Sequence, residues 1–316
     1  MAPRAQVSNR AREANLRLRL PTLYTMMTSG PTSHVYFSQR LRLHYVDWGN
    51  PTAPPLVLVH GGRDHCRNWD WAAERLRHHW HGIAPDLRGH GDSQWSTDGT
   101  YRMDGYVYDL AQLIHQLKLA PVTIVAHSLG GNIALRYAGL YPDLVKRLVA
   151  IEGLGASPKM AQERAKLGIA ERMRLWIDEQ RDLAGRLPRR YPTLEDAFRR
   201  MHDENKHLSP AQARHLTEYG VNQNEDGTFS WKFDNYVRSW PAYGMAGEDV
   251  KALWAAITCP TLLVYGAESG ASNPLQDGRA SHFRNARVET FANAGHWVHH
   301  DQFEGFMSLV ESFLSE

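Results

Sequence analysis

Short apolar runs alternate with segments of helical length along most of the chain. The first run is Leu56–Val59, a continuous apolar stretch typical of a strand that is covered on both faces. Similar runs recur at residues 81–85, 122–126, 148–151, 261–265 and 288–291, with segments such as 104–118 and 129–141 between them. Residues 35–48 alternate polar with β-branched or aromatic side chains around a short polar break, which predicts an antiparallel hairpin. Strands that alternate with helices predict an α/β fold with a mainly parallel sheet flanked by helices.

One region, residues 153–250, interrupts this alternation. Charged residues are denser there than in the rest of the chain, and Leu167, Ala170, Met173 and Ile177 follow one another at helical spacing. We therefore expect a helical cap (lid) at 153–250, a core domain formed by 34–152 and 251–316, and a flexible N-terminal extension at 1–33. A final helix, with apolar residues between Phe303 and Leu314 at spacings of three, four and seven, should close the core.

Composition and charge exclude several classes of protein. With 316 residues, 42% hydrophobic and 22% charged, the chain has the composition of a folded globular protein. Its 36 basic and 34 acidic residues give a net charge of +2, so we expect no nucleic-acid partner. No stretch approaches the roughly 20 apolar residues that cross a bilayer, so we expect no membrane span. The two cysteines, Cys66 and Cys259, and the absence of a secretory signal suggest a cytoplasmic protein. The oligomeric state stays open.

A serine stands between a predicted strand and a predicted helix. Residues 122–126 lead into Ser128, and a helix-like segment follows from Asn132. Small residues, Ala126 and Gly130, lie two positions before and after the serine. A strained strand-to-helix turn that exposes a hydroxyl has no room for bulk at those positions. Ser128 is therefore a candidate nucleophile, and a helix N-cap is the alternative role for the same residue.

With these residues in view, the chain resembles the α/β-hydrolase fold family, in its serine esterase and lipase-like branch with a helical cap, over about residues 34–315. Further landmarks occur in the family's order: His60-Gly61-Gly62 after the first buried strand, the D-x-R-G-x-G-x-S turn at Asp86–Ser93, the charged segment after the sixth strand, and Asn293–Trp297 after the last strand. The resemblance implies an eight-stranded, mostly parallel sheet. It also implies that His296 is the general base and that the amides of Gly62 and Leu129 form the oxyanion hole.

The third member of the expected catalytic triad departs from the family pattern. Most members carry an aspartate three residues after the glycine that ends the seventh strand, and here Ser269 stands at that position. Two carboxylates could replace the aspartate: Glu152, at the end of the sixth strand, or Glu268, one position early. We favour Glu152, because a carboxylate at a strand end is held more rigidly than one in a glycine-flanked loop.

These residues predict a serine hydrolase that cleaves carboxylic esters, with lactones or thioesters included, through an acyl-enzyme. The same residues would also suit a carbon–carbon bond hydrolase or an acyl-transfer enzyme, and a ligand-binding protein with a decayed triad is the non-enzymatic alternative. We expect a small ester-type substrate and no cofactor. We expect no catalytic metal either, because no Cys-rich or carboxylate-rich motif accompanies the histidines at ligand spacing. A group of aromatic residues in the predicted cap either walls an apolar pocket or packs within the cap: Trp176, Trp231, Phe233, Tyr236 and Trp240.

Overall fold

A computed structural model describes residues 30–239 and 241–316. Trp240 and most of the predicted N-terminal extension, residues 1–29, therefore lie outside the described residues. The end of that extension is corrected by the structure, because Thr32 and Ser33 already belong to the first strand, paired with Asp47 and Val46.

Eight strands of the described chain form one sheet. They are β1 (Thr32–Ser38), β2 (Leu41–Asp47), β3 (Pro55–Val59), β4 (His81–Pro85), β5 (Val122–His127), β6 (Val145–Ile151), β9 (Thr261–Gly266) and β10 (Ala286–Phe291). Their spatial order is β1-β2-β4-β3-β5-β6-β9-β10. The pairs of β2 with β1 and β4 are antiparallel, and all other pairs are parallel. The predicted α/β fold with a mostly parallel eight-stranded sheet is confirmed.

Helices cover both faces of this sheet. The helices outside the region between β6 and β9 are α1 (Asp70–Leu76), α2 (Met103–Gln116), α3 (Leu129–Leu140), α9 (Val298–Asp301) and α10 (Phe303–Ser315). Because successive side chains of a strand point to opposite faces, β3 divides its apolar residues: Val57 and Val59 pack in the cluster that contains α2 and α3, whereas Leu56 and Leu58 pack in the cluster that contains α1 and α10. Burial on both faces explains the continuous apolar runs.

Between β6 and β9 lie α4 (Pro158–Lys166), α5 (Ile169–Ala184), α6 (Leu194–Glu204), α7 (Pro210–Gly220), a ribbon of β7 (Val221–Gln223) and β8 (Phe229–Trp231), and α8 (Gly247–Ala256). We use "the insertion" for residues 153–246, the segment that precedes α8. The polar side chains of Ser157, Thr193 and Ser209 accept hydrogen bonds from the first-turn amides of α4, α6 and α7, which fixes where these helices begin.

Two details of the insertion differ from the sequence prediction. Leu167 does not continue the helical stripe with Ala170, Met173 and Ile177, because α4 ends at Lys166 and Gly168, with a ψ of 157°, precedes α5. The short ribbon of β7 and β8 was not predicted. A turn with Gly227 at a φ of +82° connects its strands, so the Asp226-Gly227 pair was the signal that could have revealed it.

Candidate active site

Ser128 lies in a strained turn between β5 and α3. Its φ of 51° and ψ of −114° fall in a sparsely populated region for a residue with a side chain. The backbone amide of Ser128 donates to the carbonyl of Ile151 on the neighbouring strand, at 2.7 Å. This bond ties the turn to the sheet, so the serine hydroxyl is held beyond the end of β5.

The small residues after the serine are required by close backbone contacts. A Cβ atom on Gly130 would lie 2.5 Å from the carbonyl oxygens of Val59 and His60, and one on Gly131 would lie 2.7 Å from the Cα atom of Gly153. These approaches bring the turn against the end of β3 on one side and the end of β6 on the other. No side chain larger than hydrogen fits at position 130 without moving the backbone.

His296 contacts the serine from the turn that follows β10. The hydroxyl of Ser128 donates to Nε2 of His296 at 2.9 Å, and the side chain of His296 is 49% exposed. The turn is held in place from within: Nε2 of His127 donates to the carbonyl of His296 at 2.9 Å, and the amide of Gly295 donates to Asp301 at 2.8 Å. The imidazole is therefore accessible to solvent although its backbone is fixed.

The other nitrogen of His296 contacts a buried carboxylate. Nδ1 of His296 donates to Oε2 of Glu152, whose side chain has no exposed surface. Glu152 follows β6 with a φ of +50°, and its own amide donates to the carbonyl of Val264 at 2.9 Å. The structure thus joins Ser128, His296 and Glu152 in one chain of hydrogen bonds, the arrangement in which an imidazole can take a proton from a hydroxyl.

Gly62 and Leu129, the two residues predicted to form the oxyanion hole, lie near each other, and Leu129 directly follows the serine. A Cβ atom on Gly62 would be 3.9 Å from Cδ2 of Leu129. Leu129 is the first residue of α3, and the first amides of an α-helix have no partner within the helix. Gly62 is exposed. Gly62 and Leu129 come from the two backbone segments that approach each other at Gly130, and the role of their amides as oxyanion-hole donors stays a prediction.

A model of the alpha/beta hydrolase fold matches residues 54–303 of the chain. The chain belongs to the α/β-hydrolase fold family. The esterase Rv0045c of Mycobacterium tuberculosis is 29% identical over 296 residues, which cover 90% of this chain and 91% of the esterase. The sn-1-specific diacylglycerol lipase ABHD11 of Mus musculus is 28% identical over 283 residues, with 84% of this chain and 83% of the lipase covered.

A solved structure shows the same α/β-hydrolase fold. The thioesterase domain from the curacin biosynthetic pathway superposes with a TM-score of 0.77 at 22% identity, over 90% of this chain and all of the domain. The relatives named here thus include an esterase and a lipase at the level of sequence, and a thioesterase at the level of fold. Among the residues that the structure describes, no helix has the length and apolar character to cross a bilayer.

Ser269, which stands at the position of the usual α/β-hydrolase acid, contacts the same carboxylate as His296. The hydroxyl of Ser269 donates to Oε2 of Glu152 at 2.6 Å, and the amide of Gly266 donates to Oε1 at 2.9 Å. Ser269 in turn accepts a hydrogen bond from the amide of Ala271 at 3.1 Å. Three donors therefore surround Glu152. The sequence marked Ser269 only as the position of a missing aspartate. Its hydrogen bond could not be expected, because the partner, Glu152, follows a different strand.

Glu268, the alternative acid, lies elsewhere. Its side chain is 51% exposed and its Oε2 atom lies 3.5 Å from Nε2 of His207 in the insertion. The amide of Glu268 donates to the carbonyl of Ala294 at 2.9 Å, which fixes the loop and turns the side chain to the surface. The structure brings Glu152, and not Glu268, to His296.

A buried polar network supports the loop that carries Gly62. Nδ1 of His60 donates to the carbonyl of Gly61 at 2.6 Å, and its Nε2 accepts from the amide of Leu87 at 3.0 Å. Both nitrogens are used by the neutral ring, and burial lowers the pKa of His60 to about 3. The network links the glycine loop to the turn that begins at Asp86.

Asp86 is the charged centre of that turn. It pairs with Nδ1 of His44 at 2.7 Å and accepts from the amides of Cys66 and Asp92 at 2.7 and 2.9 Å. Burial alone would raise the pKa of Asp86, but His44, His60 and the backbone donor at Asp92 hold it well below its usual value. His44, Cys66 and Asp86 are close enough to hold a metal ion. However, burial raises the pKa of the Cys66 thiol, and a thiol must ionise to become a metal ligand.

Three further histidine rings pack behind His296. The ring of His127 lies 4.7 Å from that of His296 and 4.8 Å from that of His299, and His299 lies 4.4 Å from His300. Burial, and then the charges of neighbouring histidines, hold the pKa values of His127 and His299 well below the usual range, and lower that of His300 to about 3. These rings are uncharged near neutral pH, so they do not oppose a positive charge on His296.

Proposed function

We propose that this chain is a serine hydrolase of carboxylic esters that works through an acyl-enzyme on Ser128. The single observation that carries the proposal is the continuous chain of hydrogen bonds from Ser128 through His296 to the fully buried Glu152. The esterase and the diacylglycerol lipase among the relatives support the same class of substrate. The fold of the curacin thioesterase domain makes thioesters a reasonable extension of that class.

In the first half of the proposed reaction, Oγ of Ser128 attacks the ester carbonyl while Nε2 of His296 takes the hydroxyl proton. The amides of Gly62 and Leu129 donate to the oxyanion of the tetrahedral intermediate, and loss of one such donor typically costs about 3 kcal/mol of transition-state stabilisation. His296 then gives its proton to the leaving alcohol oxygen as the carbon–oxygen bond breaks. Glu152 stabilises the transient imidazolium and keeps its Nδ1 atom protonated.

In the second half, His296 takes a proton from water, which attacks the acyl carbonyl of Ser128. The second tetrahedral intermediate collapses to the carboxylic acid, and the proton returns from His296 to Oγ of the serine. Ser128 is half-buried and His296 is half-exposed, so water reaches the acyl-enzyme without rearrangement of the core. In this proposal the insertion serves as the cap over the core, and its contacts select the substrate. No step needs a metal or an organic cofactor.

The test is hydrolysis of 4-nitrophenyl esters of increasing acyl length by the wild-type protein and by Ser128→Ala. We expect the wild type to hydrolyse the shorter esters, the variant to lose at least about 10⁴-fold in kcat, and a fluorophosphonate to label Ser128. Absence of labelling, together with equal rates for wild type and variant, would refute the proposal. That outcome would instead favour a ligand-binding protein that has kept the fold.

A further inference from the structure

A second concave surface lies within the insertion, away from Ser128. Side chains of α4, α5 and the turn at Asn235–Arg238 line a half-open cavity of about 540 Å³, a volume typical of small-molecule sites. Four arginines, Arg164, Arg172, Arg186 and Arg238, contribute to its walls. Neither Ser128 nor His296 lines it. The cavity is therefore a site separate from the proposed triad.

The positive charge of this cavity is incompletely neutralised. Arg172, Arg186 and Arg238 form no ion pair within the described parts of the chain. Three carboxylates also line the cavity, but two of them have other partners. Asp178 pairs with Arg181 at 3.1 Å, and Glu179 accepts from the hydroxyl of Ser239 at 2.9 Å. Glu179 keeps its charge when it accepts from a neutral hydroxyl, so Glu179 and Asp182 face the four guanidinium groups of the lining, which leaves an excess of positive charge.

Two of these arginines indicate that an acceptor belongs in the cavity. Nε of Arg172 is buried and has no hydrogen-bond partner among the described residues, and a buried donor without an acceptor is unfavourable. Burial, and then repulsion from Arg63 and Arg186, lower the pKa of Arg238, although the attraction of Glu204 partly offsets this effect. Arg63 directly follows Gly62, so the positive potential extends from the insertion towards the proposed oxyanion hole. An anion in the cavity would supply the acceptor and reduce the repulsion.

The apolar part of the lining defines the rest of the ligand. Leu175 projects into this site although 54% of it is exposed, and the half-buried ring of Trp176 lies beside it on α5. Exposed apolar surface next to unpaired guanidinium groups suits a molecule with a charged head and a hydrocarbon chain. We propose that the cavity binds an amphiphilic carboxylate, with its head against Arg172, Arg186 and Arg238 and its chain against Leu175 and Trp176.

Calorimetric titration with octanoate tests the proposal, with 1-octanol as the uncharged probe of equal length. We expect octanoate to bind the wild type at least tenfold more tightly than 1-octanol, and more weakly as salt is added. The double variant Arg186→Gln/Arg238→Gln should weaken octanoate binding by tenfold or more, as expected for loss of charge-assisted hydrogen bonds. Arg174→Gln is the matched control, since Arg174 is exposed on the same helix and does not line the cavity.

Equal octanoate affinity in the wild type and the double variant would overturn the proposal, because the binding would then occur elsewhere, including at Ser128. Equal affinity for octanoate and 1-octanol would overturn it as well, and so would the absence of octanoate binding at concentrations up to about 10 mM. These readouts measure binding alone, so they are independent of whether the protein hydrolyses esters. If binding is found, inhibition of ester hydrolysis separates two sources of the ligand: competitive inhibition indicates part of the substrate, and noncompetitive inhibition indicates a separate molecule.

Discussion

Replacement of Glu152 by glutamine should abolish most of the proposed activity, for reasons visible in its hydrogen bonds. The carboxylate accepts from the amide of Gly266 through Oε1 and from Ser269 and His296 through Oε2. A glutamine that keeps its carbonyl towards Gly266 presents an NH₂ group to Nδ1 of His296. The imidazole must then carry its proton on Nε2, facing Ser128, and can no longer act as a base.

The opposite rotamer of the glutamine is also unfavourable. Its carbonyl could accept from His296, but its NH₂ group would then face the amide of Gly266, leaving two buried donors in contact. An unsatisfied buried donor costs about 1–3 kcal/mol. Loss of the correct tautomer lowers kcat by about 10⁴-fold in serine hydrolases with such a triad, which corresponds to about 5 kcal/mol in the activation free energy. We expect a loss of that order for Glu152→Gln.

The assay compares kcat for 4-nitrophenyl butyrate between Glu152→Gln and the matched variant Glu268→Gln. Glu268 is half-exposed and lies near His207, so its substitution should change kcat by less than about twofold. Circular dichroism and thermal unfolding of both variants establish that the fold is retained. A larger loss of kcat in Glu268→Gln, or a loss below about tenfold in a folded Glu152→Gln, would refute the assignment of the acid.

Three further outcomes follow from the structure. Ser269→Ala should lower kcat about tenfold, because it removes the hydrogen bond to Glu152. Ser269→Thr keeps the hydroxyl and should retain most of the activity. Equal losses of kcat in the two variants would contradict a positioning role for Ser269. Gly131→Ala should lower the free energy of unfolding, measured in urea, despite the helix preference of alanine, because its Cβ would meet Gly153. Below pH 6.5 the histidines of the unfolded chain become protonated, whereas buried histidines of the folded protein stay neutral. The free energy of unfolding should therefore fall on acidification below pH 6.5, by about 1.4 kcal/mol per pH unit for each such histidine. His300, with a pKa of about 3, is one of them, and His300→Phe should reduce the slope of unfolding free energy between pH 6.5 and 5; an unchanged slope would argue against it.

The parts of the site that depend on local pattern could be predicted from the sequence. Ser128 and His296 each follow a strand at a short distance, and strands of one parallel sheet place such positions at the same edge. The structure brings their side chains into hydrogen-bond contact. Gly130 was also a local signal, because only close backbone approach requires so small a residue there.

The residues alone favoured Glu152 over Glu268 but did not decide between them. The choice depends on the order of the strands, since β6 lies between β5 and β9, and on the positive φ of Glu152. Neither property is encoded in a short pattern. The same holds for Ser269, whose partner is 117 positions away in the chain. The arginine-lined cavity was missed for a different reason: the dense charge of the insertion does not show which residues meet, and only the packing of α5 against neighbouring turns brings these arginines together.

The chain leaves the sheet for the insertion directly after Glu152. It returns through α8, where a Cβ atom on Gly139 of α3 would lie 2.3 Å from the carbonyl oxygen of Leu253. Both ends of the insertion are thus anchored to backbone that also carries Glu152 and Ser128, the proposed acid and nucleophile, while α5, α6 and α7 are remote from those anchors along the chain. Evolution can therefore remodel the middle of the insertion to recognise new molecules without disturbing the chemistry. Lengthening or shortening residues 153–157 would instead shift the imidazole's partner, so we expect tolerance to insertions to fall sharply at that junction.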